Sequence, residues 1–363
     1  MQTAQFPNRY VQGPGALGRF GAEAARLGDC VLLLVDRGLP DDILNRLDTS
    51  GLSLEQVPVD PACTPERIAR AAALARDKGA DAIAALGGGK VVDLGRATAD
   101  DLALAFISVP TIAASDAPCS ALAVVYDEDG KVLHDRFVRK NPDLVLVDSN
   151  VIAGAPSRFL AAGIGDALAT FFEAEACRRS GAQNMVGGRP TQMANAVARL
   201  CRDTILEDGA NAIAACDKGT PDSAFERVLE AAILLSGIGF ESGGVAAAHA
   251  IHHGLAELPE TQPALHGEKV AFGVLVEMVM QGFDEAEITR IARFNRSVRL
   301  PATLADLSVD RNGPGVNIVA KRACKPGEII FNEPVEIDVA ITRAAILRAD
   351  EIARSSLISR GKE

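Results

Sequence analysis

Four of the five histidines in the chain fall within 18 residues of one another. His249, His252 and His253 stand in the stretch AAAHAIHHGL, and His266 opens the stretch HGEKVAFG after a short gap. Residues three or four apart share one face of a helix, so imidazoles in the first stretch are expected to converge. Converging neutral imidazoles suit Zn²⁺ or Fe²⁺. The cluster indicates a metal site; hydrogen-bonded polar groups in a helix packing seam are the alternative.

A carboxylate is expected to complete such a site, because a catalytic metal usually has three protein ligands and an open position. The best candidate is Asp166 in the stretch AAGIGDALATFFEAEA, where it stands among small and apolar residues. Its alternative role is to cap the N-terminus of a helix. The preceding Gly163 and Gly165 are consistent with both roles.

The segment Gly87-Gly88-Gly89-Lys90 follows the apolar run DAIAAL and precedes a helical pattern. Consecutive glycines let a ligand approach the backbone, and the N-terminus of the following helix favours phosphate. A Walker A loop is excluded, because residues 84 and 91 are Ala and Val where that loop needs Gly and Ser or Thr. The segment predicts a nucleotide held as a cofactor and not cleaved.

A second glycine motif, GPGALG at residues 13–18, matches G-x-G-x-x-G, and Asp36 follows it by 18 residues at the end of the run VLLLVD. An acidic residue there can hold ribose hydroxyls. The segment before the motif, RYVQ, is short and half polar, unlike the buried first strand of a dinucleotide fold. The favoured interpretation is a turn that leads into a helix.

Asp116 lies in the loop PTIAASDAPCSAL, directly after the apolar run AFISV. In an open parallel sheet, ligands bind beyond the carboxyl ends of the strands. Asp116 could therefore share an edge with the GGGK segment and accept hydrogen bonds from substrate hydroxyls. The alternative is an ordinary acidic residue in a turn.

Short apolar runs at 31–35, 82–86, 105–109 and 144–147 alternate with helical patterns, as in a parallel sheet covered on both faces. Beyond about residue 155 the pattern is helical, with residues 308–333 unassigned. The sequence predicts an α/β dinucleotide-binding domain over residues 1–155 and an all-α metal-binding domain over residues 156–363.

The composition narrows the class of partner. The chain has 363 residues, with 48 acidic and 37 basic side chains and a net charge of −11, two tyrosines and no tryptophan. This balance argues against nucleic acid and anionic membranes. The N-terminal stretch lacks a secretory signal pattern, and the seven scattered cysteines include no C-x-x-C pair. We expect a cytoplasmic protein that acts on a small molecule.

Several long motifs occur together in a fixed order, and they resemble the glycerol dehydrogenases of the iron-containing alcohol dehydrogenase superfamily over about residues 8–305. The motifs are RYVQGPGAL, GGGK-x-x-D, PTIA-x-x-DAP-x-SAL, KNPDLVLVD, GIGDALAT, GFESGG, AAAHAIHHGL and HGEKVAFG. The resemblance implies a dehydroquinate synthase-like architecture, in which an α/β domain with a parallel sheet precedes an all-α domain. It also implies oxidation of vicinal diols with NAD and zinc, and homo-oligomers, often octamers.

Carried over by resemblance, the zinc ligands are Asp166, His249 and His266, and the glycerol-contacting carboxylate is Asp116. His252 is a candidate for relaying a proton. The residues implied for NAD are Asp36, Gly88, Gly89, Lys90, Asp93, Thr111, Ser120, Leu122 and Tyr126.

Three positions depart from the patterns of the family. Thr170 stands where the iron-using branch has a fourth ligand, a His one helical turn after the Asp, which favours the zinc branch. Ala114 replaces a Ser that usually contacts NAD. His253 stands where Asn is common, and its role is left open.

The leading hypothesis is an NAD-dependent polyol dehydrogenase that converts glycerol or a related diol to the hydroxyketone. One alternative is a lyase like dehydroquinate synthase, whose phosphate-bearing substrate needs clustered Lys and Arg. Near the motifs only Lys90 and Lys269 are basic candidates. A second alternative is a non-catalytic, metal-stabilised NAD-binding protein, which would need a closed metal site.

Overall fold

The computed structural model describes residues 1–358 of the protein. Eight strands lie within the first 148 residues. They are β1 (Tyr10–Gly13), β2 (Cys30–Asp36), β3 (Ser53–Val59), β4 (Ala82–Gly87), β5 (Ala105–Pro110), β6 (Leu122–Tyr126), β7 (Val132–Phe137) and β8 (Leu144–Asp148). Six of them form one parallel sheet in the order β1-β8-β5-β4-β2-β3, while β6 and β7 pair as an antiparallel hairpin.

The longest helices follow the last strand. The helices are α1 (Phe20–Ala24), α2 (Asp41–Leu44), α3 (Pro65–Lys78), α4 (Gly89–Leu102), α5 (Ser149–Ala153), α6 (Ser157–Ser180), α7 (Gln192–Asp217), α8 (Ser223–Glu230), α9 (Ser236–Gly243), α10 (Ala247–Ala256), α11 (His266–Met280), α12 (Glu285–Ser297), α13 (Gly315–Ala323) and α14 (Val339–Ile358). A π-helical segment, Ala231–Leu235, joins α8 to α9.

This order of elements confirms the predicted fold class. The central strands β2, β4 and β8 are buried along almost their whole length, as their uninterrupted apolar sequences require. Helix α3 begins at the cap Thr64, whose hydroxyl accepts from the Arg67 N–H, and ends at Gly79 with φ of 64°. The boundary at residues 155 and 156 falls between α5 and α6 and stays a prediction.

The segment after β1 is a turn, as the sequence favoured. Residues Ala16–Arg19 form a single 3₁₀ turn that leads into α1. The carboxylate of Asp148, at the end of β8, accepts hydrogen bonds from the N–H groups of Gly15 and Leu17 at 3.1 and 3.0 Å. A side chain of the protein therefore satisfies the amides that a phosphate would need.

Close packing of α6 against α11 brings distant parts of the chain together. A Cβ atom at Gly267 would lie 1.8 Å from the carbonyl oxygen of Ala162, and one at Gly165 would lie 2.4 Å from the carbonyl oxygen of Gly267. A Cβ at Gly163 would lie 2.2 Å from the carbonyl oxygen of Ala113, in the loop after β5. Glycine at these positions permits both the helix crossing and the contact with the sheet edge.

Within residues 1–358, no single helix has the length and apolar character to cross a membrane. The helical stretches Ser223–Gly243 and Ala247–Ala256 pass this test only as a pair, and they are bent by 102°.

Candidate active site

Three side chains from three helices meet beside the loop that follows β5. Asp166 lies in the middle of α6, not at a helix cap, while His249 belongs to α10 and His266 is the first residue of α11. Asp166 Oδ1 lies 3.0 Å from His266 Nε2 and 3.4 Å from His249 Nε2. One ligand atom from each residue lies within 4.8 Å of the other two. The structure thus brings together the three residues expected to bind metal.

Each imidazole is held at its other nitrogen, which directs Nε2 toward Asp166. Glu173 Oε2 lies 2.6 Å from His249 Nδ1, and His252 Nε2 lies 3.1 Å from His266 Nδ1. A partner that accepts from Nδ1–H leaves the Nε2 lone pair free for a cation, which is the usual arrangement of metal-bound histidine. One carboxylate and two such imidazoles form a donor set that fits a divalent metal such as Zn²⁺.

The charges in this cluster are strongly coupled. Burial opposes ionisation of Asp166, but the charge of His266 and hydrogen bonds from both imidazoles hold the pKa of Asp166 below its ordinary value. Burial also opposes charging of His249, yet the carboxylates of Glu173 and Asp166 raise the pKa of His249 well above its ordinary value. Desolvation, followed by the charges of neighbouring histidines, lowers the pKa of His252. The cluster therefore contains negative charge that a cation would compensate.

Buried carboxylates also hold the first residues of α10. Glu173 Oε1 accepts from the N–H groups of Ala246 and His249, both at 2.9 Å. Glu333 Oε1 accepts from the Ala247 N–H, and Glu277 Oε2 accepts from the Ala248 N–H. These glutamates satisfy amides that have no partner within the helix. Sequence reasoning missed all three. Glu173 and Glu277 carry a signal, an acidic residue inside an apolar stretch, as in ATFFEAEA and FGVLVEMVM, whereas Glu333 does not.

His252 and His253 differ in their surroundings. His252 faces His266, and its Nδ1 is buried without a hydrogen-bond partner in the described part of the chain. His253 points away, with Nδ1 lying 3.0 Å from Glu328, which also pairs with Arg322. His253 therefore anchors the segment around residue 328, part of the stretch that the sequence left unassigned.

Asp116 lies against the metal candidates and not in an isolated turn. Its backbone N–H donates to Asp166 Oδ2 at 3.3 Å, and its Oδ2 accepts from the Ser236 hydroxyl at 2.7 Å. Burial, and next the charge of Asp166, raise the pKa of Asp116 well above its ordinary value. A hydroxyl-bearing molecule at the cluster would therefore have a second polar anchor within reach.

The GGGK segment forms the neighbouring edge of the sheet. Gly87 ends β4 and Gly88 precedes α4, whose N-terminus has no side-chain cap. A Cβ at Gly87 would lie 2.9 Å from Val91 Cβ and 3.0 Å from Asp36 Cβ. The glycines therefore keep the ends of β2 and β4 and the start of α4 close together. The N-terminus of a helix favours anionic groups.

The remaining candidate nucleotide residues surround this edge. Lys90 is exposed, and its Nζ lies 4.8 Å from the centre of the Tyr126 ring. Thr111 and Ser120 are buried in the loop after β5, and Leu122 begins β6. Asp93 is also buried; it pairs with Arg96 at 2.6 Å and accepts from the Val124 N–H at 3.3 Å. Asp93 thus supports the hairpin, while its contact with a cofactor stays a prediction.

Comparisons with known proteins identify the family to which the chain belongs. The family model described as iron-containing alcohol dehydrogenase matches residues 7–149. A glycerol dehydrogenase of Pseudomonas putida is 43% identical over 361 residues, covering 98% of this chain and 99% of that protein. A glycolaldehyde reductase of Halobacterium salinarum is 40% identical over 353 residues, covering 96% and 97%. The crystal structure of a probable glycerol dehydrogenase from Sinorhizobium meliloti has a TM-score of 0.92 and 41% identity, covering 98% and 99%.

The fold and these relatives define an oxidoreductase. The chain belongs to the iron-containing alcohol dehydrogenase family.

Proposed function

We propose that the protein oxidises glycerol or a related vicinal diol at C2 to the hydroxyketone, dihydroxyacetone in the case of glycerol, with NAD and Zn²⁺. The observation that carries this proposal is the group formed by Asp166, His249 and His266, with Asp116 directly beside it. Relatives named for glycerol and for glycolaldehyde support the substrate class, because both molecules carry oxygen on adjacent carbons.

Asp166, His249 and His266 would hold the metal. When bound, Zn²⁺ supplies Lewis-acid chemistry that lowers the pKa of a substrate hydroxyl. Glu173 and His252 keep the two imidazoles in the orientation that exposes Nε2. His252 therefore has an orienting role in this proposal, and the proton relay suggested by the sequence stays a prediction.

The edge formed by Gly88, Gly89 and Lys90 would hold the pyrophosphate of NAD, which supplies the hydride acceptor when bound. The N–H groups at the start of α4 and the Lys90 ammonium both favour phosphate. Asp36, at the end of β2, would accept from ribose hydroxyls and repel a 2′-phosphate, which favours NAD over NADP. Asp93, Thr111, Ser120, Leu122 and Tyr126 remain candidate contacts around this edge.

Asp116 would accept a hydrogen bond from the hydroxyl that is not oxidised. Two polar anchors on adjacent oxygens fix the carbon chain and so determine which carbon faces the nicotinamide. A lyase acting on a phosphate-bearing substrate is disfavoured, because Lys269 is buried and donates to the Thr261 carbonyl at 3.4 Å. We also propose a cytoplasmic homo-oligomer, as the resemblance implies.

Initial rates of NAD⁺ reduction at 340 nm test this proposal. The purified protein should oxidise glycerol and 1,2-propanediol with NAD⁺, more slowly with NADP⁺, and should reduce glycolaldehyde with NADH in the reverse direction. Elemental analysis should give one zinc per chain. A protein without NAD-linked diol oxidation, or one that prefers NADP⁺, would contradict the corresponding part of the proposal.

A further inference from the structure

A chain of buried hydroxyls ends on Asp116. The Ser236 hydroxyl donates to Asp116 Oδ2 at 2.7 Å, and Ser236 Oγ lies 3.0 Å from Thr170 Oγ1. Ser236 is fully buried and Thr170 is 4% exposed. A serine hydroxyl has one proton to donate, so Thr170 is the donor in the second bond. Ser236 thereby holds the carboxylate while Thr170 holds Ser236.

The fold places Ser236 by an unusual local structure. The π-helical segment Ala231–Leu235 ends directly before it. A π segment puts an extra residue in the turn, which changes the direction of the side chains that follow, and such segments are frequent at functional sites. Without this segment, an uninterrupted helix from α8 would present a different residue to Asp116.

Two glycines let α9 approach closely enough for these bonds. A Cβ at Gly237 would lie 2.6 Å from Cys119 Cβ, in the loop that carries Asp116. A Cβ at Gly239 would lie 2.3 Å from Thr170 Cγ2, on α6. The helix is therefore packed between the loop and α6 with no space for side chains at these positions.

We propose that Ser236 is a positioning residue for diol recognition, which rests on the proposed role of Asp116 as the diol anchor. The Asp116 N–H bonds to Asp166 and its Oδ2 accepts from Ser236. Among the described residues, these bonds leave Oδ1 for the second substrate hydroxyl. Ser236 thus selects molecules with two adjacent hydroxyls over monohydric alcohols without contacting either.

The variant Ser236→Ala tests the proposal through substrate discrimination. Loss of the hydrogen bond to a carboxylate should lower kcat/KM for glycerol about 10-fold, mainly through KM, and change that for 2-propanol less than about 2-fold. Thr170→Val should show the same pattern with a smaller effect, while Thr170→Ser, which keeps the hydroxyl, should restore discrimination.

Ser242→Ala is the matched control. Ser242 is a fully buried serine in the same helix, but its hydroxyl donates to the Gln5 carbonyl at 2.9 Å and does not reach Asp116. The Ser242→Ala variant should retain the preference for glycerol over 2-propanol. Crystal structures of the unmodified protein and of Ser236→Ala give a readout that needs no turnover. In the variant, the Asp116 carboxylate should turn away from the position that it has in the unmodified protein.

Equal losses on both alcohols, or unchanged discrimination with Asp116 in place, would overturn the proposal. If the unmodified protein fails to oxidise diols, the proposed function fails first, and the diol role of Ser236 fails with it. An active protein whose Ser236→Ala variant keeps its preference contradicts the role of Ser236 alone.

Discussion

Two proposed sites are built by different means: the nucleotide edge of Gly88, Gly89 and Lys90, and the metal cluster of Asp166, His249 and His266. At the edge, glycines and the start of one helix present backbone groups, and the charged residue Lys90 is exposed. At the cluster, the buried Asp166 and the partly buried His249 and His266 hold one another through hydrogen bonds. Glu173 and His252 hold the two imidazoles in turn. A backbone site tolerates changes in surrounding side chains, whereas the cluster depends on each partner. Substitutions should therefore have larger and more specific effects in the cluster.

The largest effect is expected from removing a ligand of the cluster. His266→Ala should reduce bound zinc to background and lower kcat/KM by on the order of 10³-fold, because a Lewis acid contributes several kcal/mol. The nucleotide edge should be unaffected, so the Kd for NADH, measured by fluorescence titration, should stay within about 2-fold. A variant that retains stoichiometric zinc and normal turnover would refute the ligand assignment.

Asp116→Ala should separate diol chemistry from general activity. Loss of a charge-assisted hydrogen bond is worth about 1.5–3 kcal/mol, or about 10- to 150-fold in kcat/KM for glycerol. Steady-state kinetics with 2-propanol should show a much smaller loss, and the zinc content should be unchanged. Equal losses with both alcohols would mean that Asp116 shapes the site without acting as a diol anchor.

Glu173→Gln should weaken metal binding, although Glu173 is not itself a proposed ligand. Without the carboxylate at His249 Nδ1, the imidazole loses its fixed orientation, and zinc affinity should fall about 10- to 100-fold in chelator competition. The control is Glu175→Gln in the same helix, where the glutamate pairs with Arg178 near the surface. Similar affinities in the two variants would show that Glu173 does not support metal binding.

Glu241 belongs to neither site, and the effect of replacing it should be smaller. It accepts from the Ala121 N–H and from the Asn141 side chain, which ties α9 to the loop before β6. Burial raises the pKa of Glu241 from 4.5 to about 7. The folded state therefore favours the protonated form. Its contribution to stability is complete below about pH 4.5 and is lost as the pH rises through about 7.

Glu241→Gln should remove this part of the pH dependence. Between pH 4.5 and 7 the free energy of unfolding of the unmodified protein should fall by about 1–3 kcal/mol relative to the variant, at about 1.4 kcal/mol per pKa unit. Urea unfolding at several pH values measures the difference, with the exposed Glu128→Gln as control. Parallel pH profiles for Glu241→Gln and the unmodified protein would contradict the assignment.

The sequence predicted those parts of the molecule that depend on residues close together along the chain. Uninterrupted apolar runs identified the buried strands. The histidine cluster stood out because its members are close in sequence and rare elsewhere. The cluster indicated a metal site, while the choice of His249 and His266 within it came from the family resemblance. The structure brings these two residues together with Asp166.

The residues that hold the candidate ligands and Asp116 in place could not be predicted, because their contacts join residues that are far apart in the sequence. Glu173 reaches His249 from 76 residues away, and Ser236 reaches Asp116 from 120. No residue type or spacing marks Ser236, since its direction depends on the π-helical segment before it. The position of His253 was likewise unpredictable, because its partner Glu328 belongs to a segment without a clear pattern.

The rate of NAD⁺ reduction by glycerol in metal-stripped and zinc-reloaded protein tests the central claim most directly. A chelator should remove the metal and with it at least about 99% of the activity, in keeping with the Lewis-acid contribution. Addition of one equivalent of Zn²⁺ should restore the original rate, and His266→Ala treated in the same way should stay inactive. Protein that contains no measurable metal and still oxidises glycerol at the full rate would contradict the account.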